Sequence, residues 1–276
     1  MMKGKLMLEI IKETPDGDIR PVPLLFIHGA WHGAWCWQPH FLPYFAQQGF
    51  QSYAMSFRNH GKSNSRGSIN LVGAWDYVED VKQAVAQINN ETGAMPVLIG
   101  HSMGGYVVQK YLEVQPAPAA VLLASVPVGG SFRLVRRMLW YLLRKHPLRL
   151  LQMLLLLDQK QVVATVEQVA YWFFHPDTPI EHIAQYQSFL QSESMRILFD
   201  TAFFQRPRPE LVRPTPMLVV AAEQDRVFSV AEQHQTALAY KVSPVVVPNI
   251  GHDVMLELNW EAAAERIAKW LGEQGF

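Results

Sequence analysis

One cysteine, Cys36, in 276 residues excludes an internal disulfide framework and offers no thiolate cage for a metal. That usage fits a reducing compartment, and a cytoplasmic location is the expectation. Charge of one sign is also missing: 24 Lys and Arg face 24 Asp and Glu. With no net field to gather polyanions, nucleic acid is not an expected partner. Long apolar runs are absent. The segment from Met1 to Ile11 carries two lysines and no apolar block of signal-peptide length, and the greasiest run, Leu150 to Leu157, is interrupted by Gln152. Neither an export signal nor a membrane span is expected. There is no His-Glu-x-x-His pattern or comparable ligand cluster, and the Gly104-Gly105 pair is not a dinucleotide fingerprint, so neither a metal nor a cofactor is expected. No internal repeat or low-complexity tract occurs.

Short apolar runs followed by turn residues are what the chain does have. Leu24–Ile27, Ser52–Ser56, Val97–Ile99, Ala119–Ser125, Met217–Ala222 and Val245–Val247 read as buried strands. Helical patterns separate several of them. In Trp75–Asn89, Val78, Val81, Val85 and Ile88 share one face, and Met103–Val114 follows a strand directly. Alternation of strand and helix predicts an α/β fold, a mostly parallel sheet with helices on both faces. An antiparallel opening is expected at Lys5–Ile11, leading through the turn Pro15-Asp16-Gly17-Asp18 and back along Ile19 to Ile27. From about Pro127 to Pro216 the alternation stops and the pattern is helical. Gly129-Gly130 opens this stretch and the proline-rich Arg206 to Pro216 closes it, which marks an insertion. The expected division is a core of residues 1–127 and 211–276 with a helical cap of residues 128–210.

The segment Val97-Leu98-Ile99-Gly100-His101-Ser102-Met103-Gly104-Gly105 carries the most chemistry. A strand ends at Gly100 and a helix begins just after Ser102, so Gly-x-Ser-x-Gly stands in the strand-to-helix setting of a nucleophile elbow. The sharp turn puts the serine in an unfavourable backbone conformation and brings neighbouring chain too close for side chains at Gly100 and Gly104. Ser102 is then exposed at a helix N-terminus, where the Met103 N–H and the helix dipole can stabilise an oxyanion.

With these residues the sequence resembles the α/β-hydrolase superfamily, in its serine esterase and lipase-like branch with a helical cap. Phe26-Ile27-His28-Gly29-Ala30-Trp31 is similar to the family's His-Gly loop, and the resemblance implies that the Ala30 N–H is the second oxyanion donor. Its continuation, His32 to Trp37, is similar to the small-esterase and hydroxynitrile-lyase branch. Arg58-Asn59-His60-Gly61-Lys62-Ser63 resembles the family's Gly-His-Gly-x-Ser turn, with Asn59 in place of the first glycine and Ser56 where an aspartate is common. The family's chain order of serine, acid and histidine implies Ser102, Asp225 and His252 as the triad. Asp225 and His252 each follow a strand, so both should reach the edge where parallel sheets gather their sites. Glu223 is the alternative acid.

Other residues have plainer readings. His101 and His28 are expected to pack and shape the loops, and Cys36 to be a buried small hydrophobe. Trp31 and His32 are the candidates for substrate contact. Trp35 and Trp37 read as core. Residues 131–149 carry Arg133, Arg136, Arg137, Arg144, Lys145 and Arg149 with no acid, interleaved with apolar residues at helical spacing. Such a helix can lie weakly on an anionic membrane surface or cover an apolar pocket, or else show a solvated basic face above a packed stripe. The resemblance implies a small-molecule substrate, a lipophilic carboxylic ester cleaved through an acyl-enzyme. Carbon–carbon bond hydrolases, hydroxynitrile lyases and non-catalytic receptors on the same fold share the layout and stay as alternatives. Haloalkane dehalogenases and the usual epoxide hydrolases are disfavoured, since they carry Asp where Ser102 stands.

Overall fold

The computed structural model describes residues 6–64 and 67–276. In chain order the elements are β1 (Ile10–Glu13), β2 (Leu24–Ile27), α1 (Phe41–Gln47), β3 (Ser52–Met55), α2 (Ala74–Thr92), β4 (Val97–His101), α3 (Met103–Leu112) and β5 (Ala120–Leu123). Then come α4 (Phe132–Lys145), α5 (Pro147–Leu156), α6 (Val166–Phe173), α7 (Ile180–Gln187), α8 (Met195–Phe199), β6 (Met217–Ala222), α9 (Val230–Ala239), β7 (Pro244–Val247) and α10 (Trp260–Glu273). The strands form one sheet in the order β1-β3-β2-β4-β5-β6-β7, parallel except for β1. Helices cover both faces, so β2, β3, β4, β5 and β6 are buried along their whole length. Two buried faces explain why these strands read as continuous apolar runs without alternation. On α2 the face Val78, Val81, Val85 and Ile88 is buried as its spacing predicts, and Gly93 ends the helix in the left-handed conformation at φ 76°.

The opening strand departs from expectation. It spans Ile10–Glu13, Leu6–Glu9 are not a strand, and Lys5 lies outside the described residues. Its antiparallel partner is β3, with Ile10 opposite Met55, and not the β2 to which the turn returns. The reason is edge availability. β2 is flanked by β3 on one side and β4 on the other, which leaves β1 only the free edge of β3.

Sheet order also decides where chemistry can gather. From β2 the chain runs to β3 on one side and then crosses to β4 on the other, so the strand order reverses between β2 and β4. Loops leaving the carboxyl ends of those two strands diverge and open a crevice there. Between β5 and β6 every regular element among the described residues is helical. The later part of this stretch is tied to the sheet-bearing half: Ser194 Oγ donates to Val72 O at 2.6 Å, Ala74 N–H to Asp200 at 2.9 Å and Gln191 Nε2 to Asn59 O at 2.8 Å. Among the described residues no helix is long and apolar enough to cross a membrane.

Candidate active site

Ser102 links the end of β4 to the start of α3 at φ 51° and ψ −116°, a left-handed strained position for a non-glycine residue. The turn is tight because its neighbours have no side chains. A Cβ on Gly100 would stand 2.6 Å from Gly104 O, and one on Gly104 only 2.3 Å from Ile27 O. Backbone at the end of β2 therefore presses on the first turn of α3, which brings the loop after β2 alongside Ser102 and Met103.

His252 and Asp225 arrive from the loops after β7 and β6. His252 Nε2 lies 2.9 Å from Ser102 Oγ and His252 Nδ1 2.8 Å from Asp225 Oδ2. The second carboxylate oxygen of Asp225 accepts the N–H groups of Val227 at 2.6 Å and Phe228 at 2.9 Å. With Oδ1 occupied by two donors, Oδ2 is the oxygen that faces the ring. An Nδ1–H donated to Oδ2 leaves the Nε2 lone pair toward the serine hydroxyl, the tautomer a general base needs. All three side chains are nearly closed to solvent, the Asp225 side chain being 1% exposed. Glu223, the alternative acid, is exposed, and its Oε2 accepts the Asn249 N–H at 3.1 Å.

Ala30, Trp31, Ser102 and Met103 line one cavity of ≈ 50 Å³, together with Leu134 and Met138 of α4. Apart from Ser102, Ser131, Gln159, Glu193 and Thr201 the wall is apolar. Trp31 holds its place at φ 66°, a strained backbone for so large a residue, and its carbonyl accepts the Gln191 N–H at 3.0 Å. A wider open groove of ≈ 910 Å³, which borders α4 and Asp225, does not include Ser102.

His32, the other candidate for substrate contact, packs beside the site. Its ring is 1% exposed, is not on the wall of the Ser102 cavity, and puts Nε2 3.1 Å from Asp253 Oδ2. Burial pushes the His32 pKa down, but the charge and hydrogen bond of Asp253 outweigh it and leave the ring above its ordinary value. For Asp253 burial acts upward and His32 downward, with a net lowering. The two form a buried hydrogen-bonded pair behind the histidine that faces Ser102. The placement has a physical cause: a histidine five residues past a strand can turn either way, and only the fold brings Asp253, 221 positions away, to its Nε2.

His101 and His28 behave as shaping residues. His101 Nε2 donates to His252 O at 2.9 Å, and burial with the neighbouring His252 lowers its pKa to about 3, so it stays neutral. His28 Nδ1 donates to Gly29 O at 2.7 Å while Nε2 accepts the Phe57 N–H at 3.1 Å. Cys36 is fully buried, and burial raises its thiol pKa well above the usual range. Among the described residues, one group of three metal-capable side chains, His101, His252 and Asp253, comes within 4.8 Å. Both His252 nitrogens are engaged by Ser102 and Asp225 and Asp253 Oδ2 by His32, while His101 Nδ1 and Asp253 Oδ1 have no hydrogen-bond partner.

Sequence reasoning missed Glu193. Its carboxylate is 1% exposed and lines the cavity; Oε1 accepts from Tyr77 Oη at 2.6 Å, and Oε2 lies 3.2 Å from His60 Nε2. Burial raises the Glu193 pKa and His60 lowers it further than that, leaving an ionised carboxylate. Nothing in the sequence marks it, because it sits in an irregular stretch and its partners lie more than a hundred residues earlier.

The sequence matches the Alpha/beta hydrolase family over residues 24–269, and the chain belongs to that family. It is 26% identical over 269 residues to a monoacylglycerol lipase of Mycolicibacterium smegmatis, covering 94% of this chain and 90% of that one. Among solved structures it is similar to a thermophilic esterase from Thermogutta terrifontis, with a TM-score of 0.69, 20% identity, and coverage of 99% of this chain and 96% of that one. A monoacylglycerol lipase from Paleococcus ferrophilus matches with a TM-score of 0.67 and 16% identity, over 98% and 100% of the two chains.

Proposed function

We propose that this α/β hydrolase is a serine esterase that cleaves a lipophilic carboxylic ester through an acyl-enzyme. In this reading Ser102 Oγ attacks the ester carbonyl while His252 Nε2 takes its proton. Asp225 holds the imidazole in its tautomer and stabilises the positive charge it gains. The carbonyl oxygen, as its charge develops, is received by the N–H groups of Ala30 and Met103 beside the N-terminus of α3. His252 returns the proton to the leaving alcohol, the C–O bond breaks, and a water activated by the same nitrogen then releases the acid. Residues 128–210 act as a cap over this centre, with Leu134, Met138 and Trp31 against the substrate.

The observation that carries the reading is the unbroken Ser102–His252–Asp225 hydrogen-bond chain opening on an apolar cavity that Ala30 and Met103 also line. The monoacylglycerol lipase and esterase relatives support an ester as the substrate. The apolar part of the wall, with Leu134 and Met138 of α4, supports an acyl group beneath the cap. The test is burst and steady-state hydrolysis of p-nitrophenyl esters from acetate to palmitate, beside Ser102→Ala. A burst that disappears with the mutant's activity supports the proposal. Equal rates in both proteins, or none in either, overturn it.

A further inference from the structure

Ten of the 24 exposed large apolar side chains among the described residues fall between Phe132 and Leu157, about a tenth of the chain. Of the ten residues of α5 only Met153 is buried, while Leu148, Leu151, Leu154, Leu155 and Leu156 are each more than half exposed. Packing in the monomer does not account for a helix so rich in leucine. Apolar patches of this kind on a water-facing surface mark a contact with something apolar.

The charge around the patch narrows the choice of partner. From Ser131 to Leu157 there are six Arg and Lys and no Asp or Glu. Arg133, Arg136, Arg144 and Lys145 are exposed on α4, interleaved with the exposed Leu139, Trp140 and Leu143. The opposite side of the same helix, Leu134, Met138 and Leu142, is buried, and the first two of these roof the Ser102 cavity. So α4 has one face for the interior and a second face, apolar and cationic together, for the outside. A second copy of the chain would set these cations against themselves across a two-fold axis. An anionic lipid surface satisfies both halves: leucines enter the acyl boundary and cations meet headgroup phosphates and carboxylates.

We propose that α4 and α5 dock the protein on anionic bilayers. Docking sets the roof of the Ser102 cavity against the lipid. It does not depend on the esterase reading, because it needs the surface and not the chemistry.

The test is co-sedimentation of the full chain with vesicles of phosphatidylcholine alone and of an equal mixture with phosphatidylserine, at low and high salt. Binding should require the anionic lipid and weaken with salt. Each cation near such a surface contributes about fivefold to partitioning, so Arg133→Glu/Arg136→Glu/Lys145→Glu should lower it about a hundredfold or more. Leu155→Ser/Leu156→Ser should also release the protein. Circular dichroism checks that both variants fold, and if one does not, the salt and lipid dependence of the wild type decides. Ser102→Ala should bind vesicles as the wild type does, which separates failure of docking from failure of the esterase reading. Equal pelleting with and without phosphatidylserine, no pelleting at all, or a dimer that the leucine variant dissociates would overturn the proposal.

Discussion

Replacing Asp225 by Asn changes one atom's hydrogen-bonding sense and should nearly abolish ester hydrolysis without unfolding the protein. Asp225 Oδ1 accepts two backbone N–H groups, from Val227 and Phe228. The asparagine must leave its carbonyl oxygen there, because an NH2 in that place would face two donors. Its NH2 then points at His252 Nδ1 and donates, so Nδ1 must lose its proton and Nε2 must carry one. That proton faces Ser102 Oγ across 2.9 Å, where the base needs a lone pair. A wrong tautomer of this kind lowers kcat by about 10⁴-fold, equivalent to about 5.5 kcal/mol in the barrier. Stability should move by less than about 1 kcal/mol, since both backbone bonds persist and a hydrogen bond to His252 remains. The assay is steady-state hydrolysis of a p-nitrophenyl ester at neutral pH, with urea denaturation of the same preparation. A fall in kcat of less than about tenfold, or a loss of stability large enough to explain it, would refute the tautomer reasoning.

Gly104→Ala puts a Cβ 2.3 Å from Ile27 O and should destabilise by about 3 kcal/mol or more, read from the denaturation midpoint, because the clash is with backbone. His32→Ala strips the buried Asp253 of its partner and should cost about 3–5 kcal/mol of stability; a substrate-contact residue would instead change KM at constant stability. His101, held near a pKa of about 3 against 6.5 when unfolded, opposes folding as pH falls below 6.5, by about 2 kcal/mol at pH 5. His32 and His60 have raised pKa values and act with the opposite sign, favouring the fold below 6.5 and losing that contribution as pH rises through their folded values. The difference between wild type and His101→Gln isolates the first effect: the variant's stability should fall less between pH 7 and pH 5, and parallel curves would refute it.

Local rules sufficed for the elbow. Gly100, Ser102 and Gly104 sit between a strand run and a helix pattern, and the turn they make depends on backbone within a few residues and on the neighbouring β2. The buried strands were legible for a similar reason, because a parallel sheet covered on both faces asks for unbroken apolar runs. Asp225 and His252 could be chosen from the sequence because chain order in the family resemblance stood in for distance. Tertiary structure decided what depends on two remote stretches meeting. The β1 strand took the edge of β3 because β2 had no free edge. His32 turned to Asp253 and away from the cavity, and Glu193 reached Tyr77 and His60, because charge buried in a low-dielectric interior must find its partner wherever the fold brings one. Periodicity announced the amphipathic α4, but which of its residues roof the cavity and which stay uncovered followed only from packing on the rest of the chain.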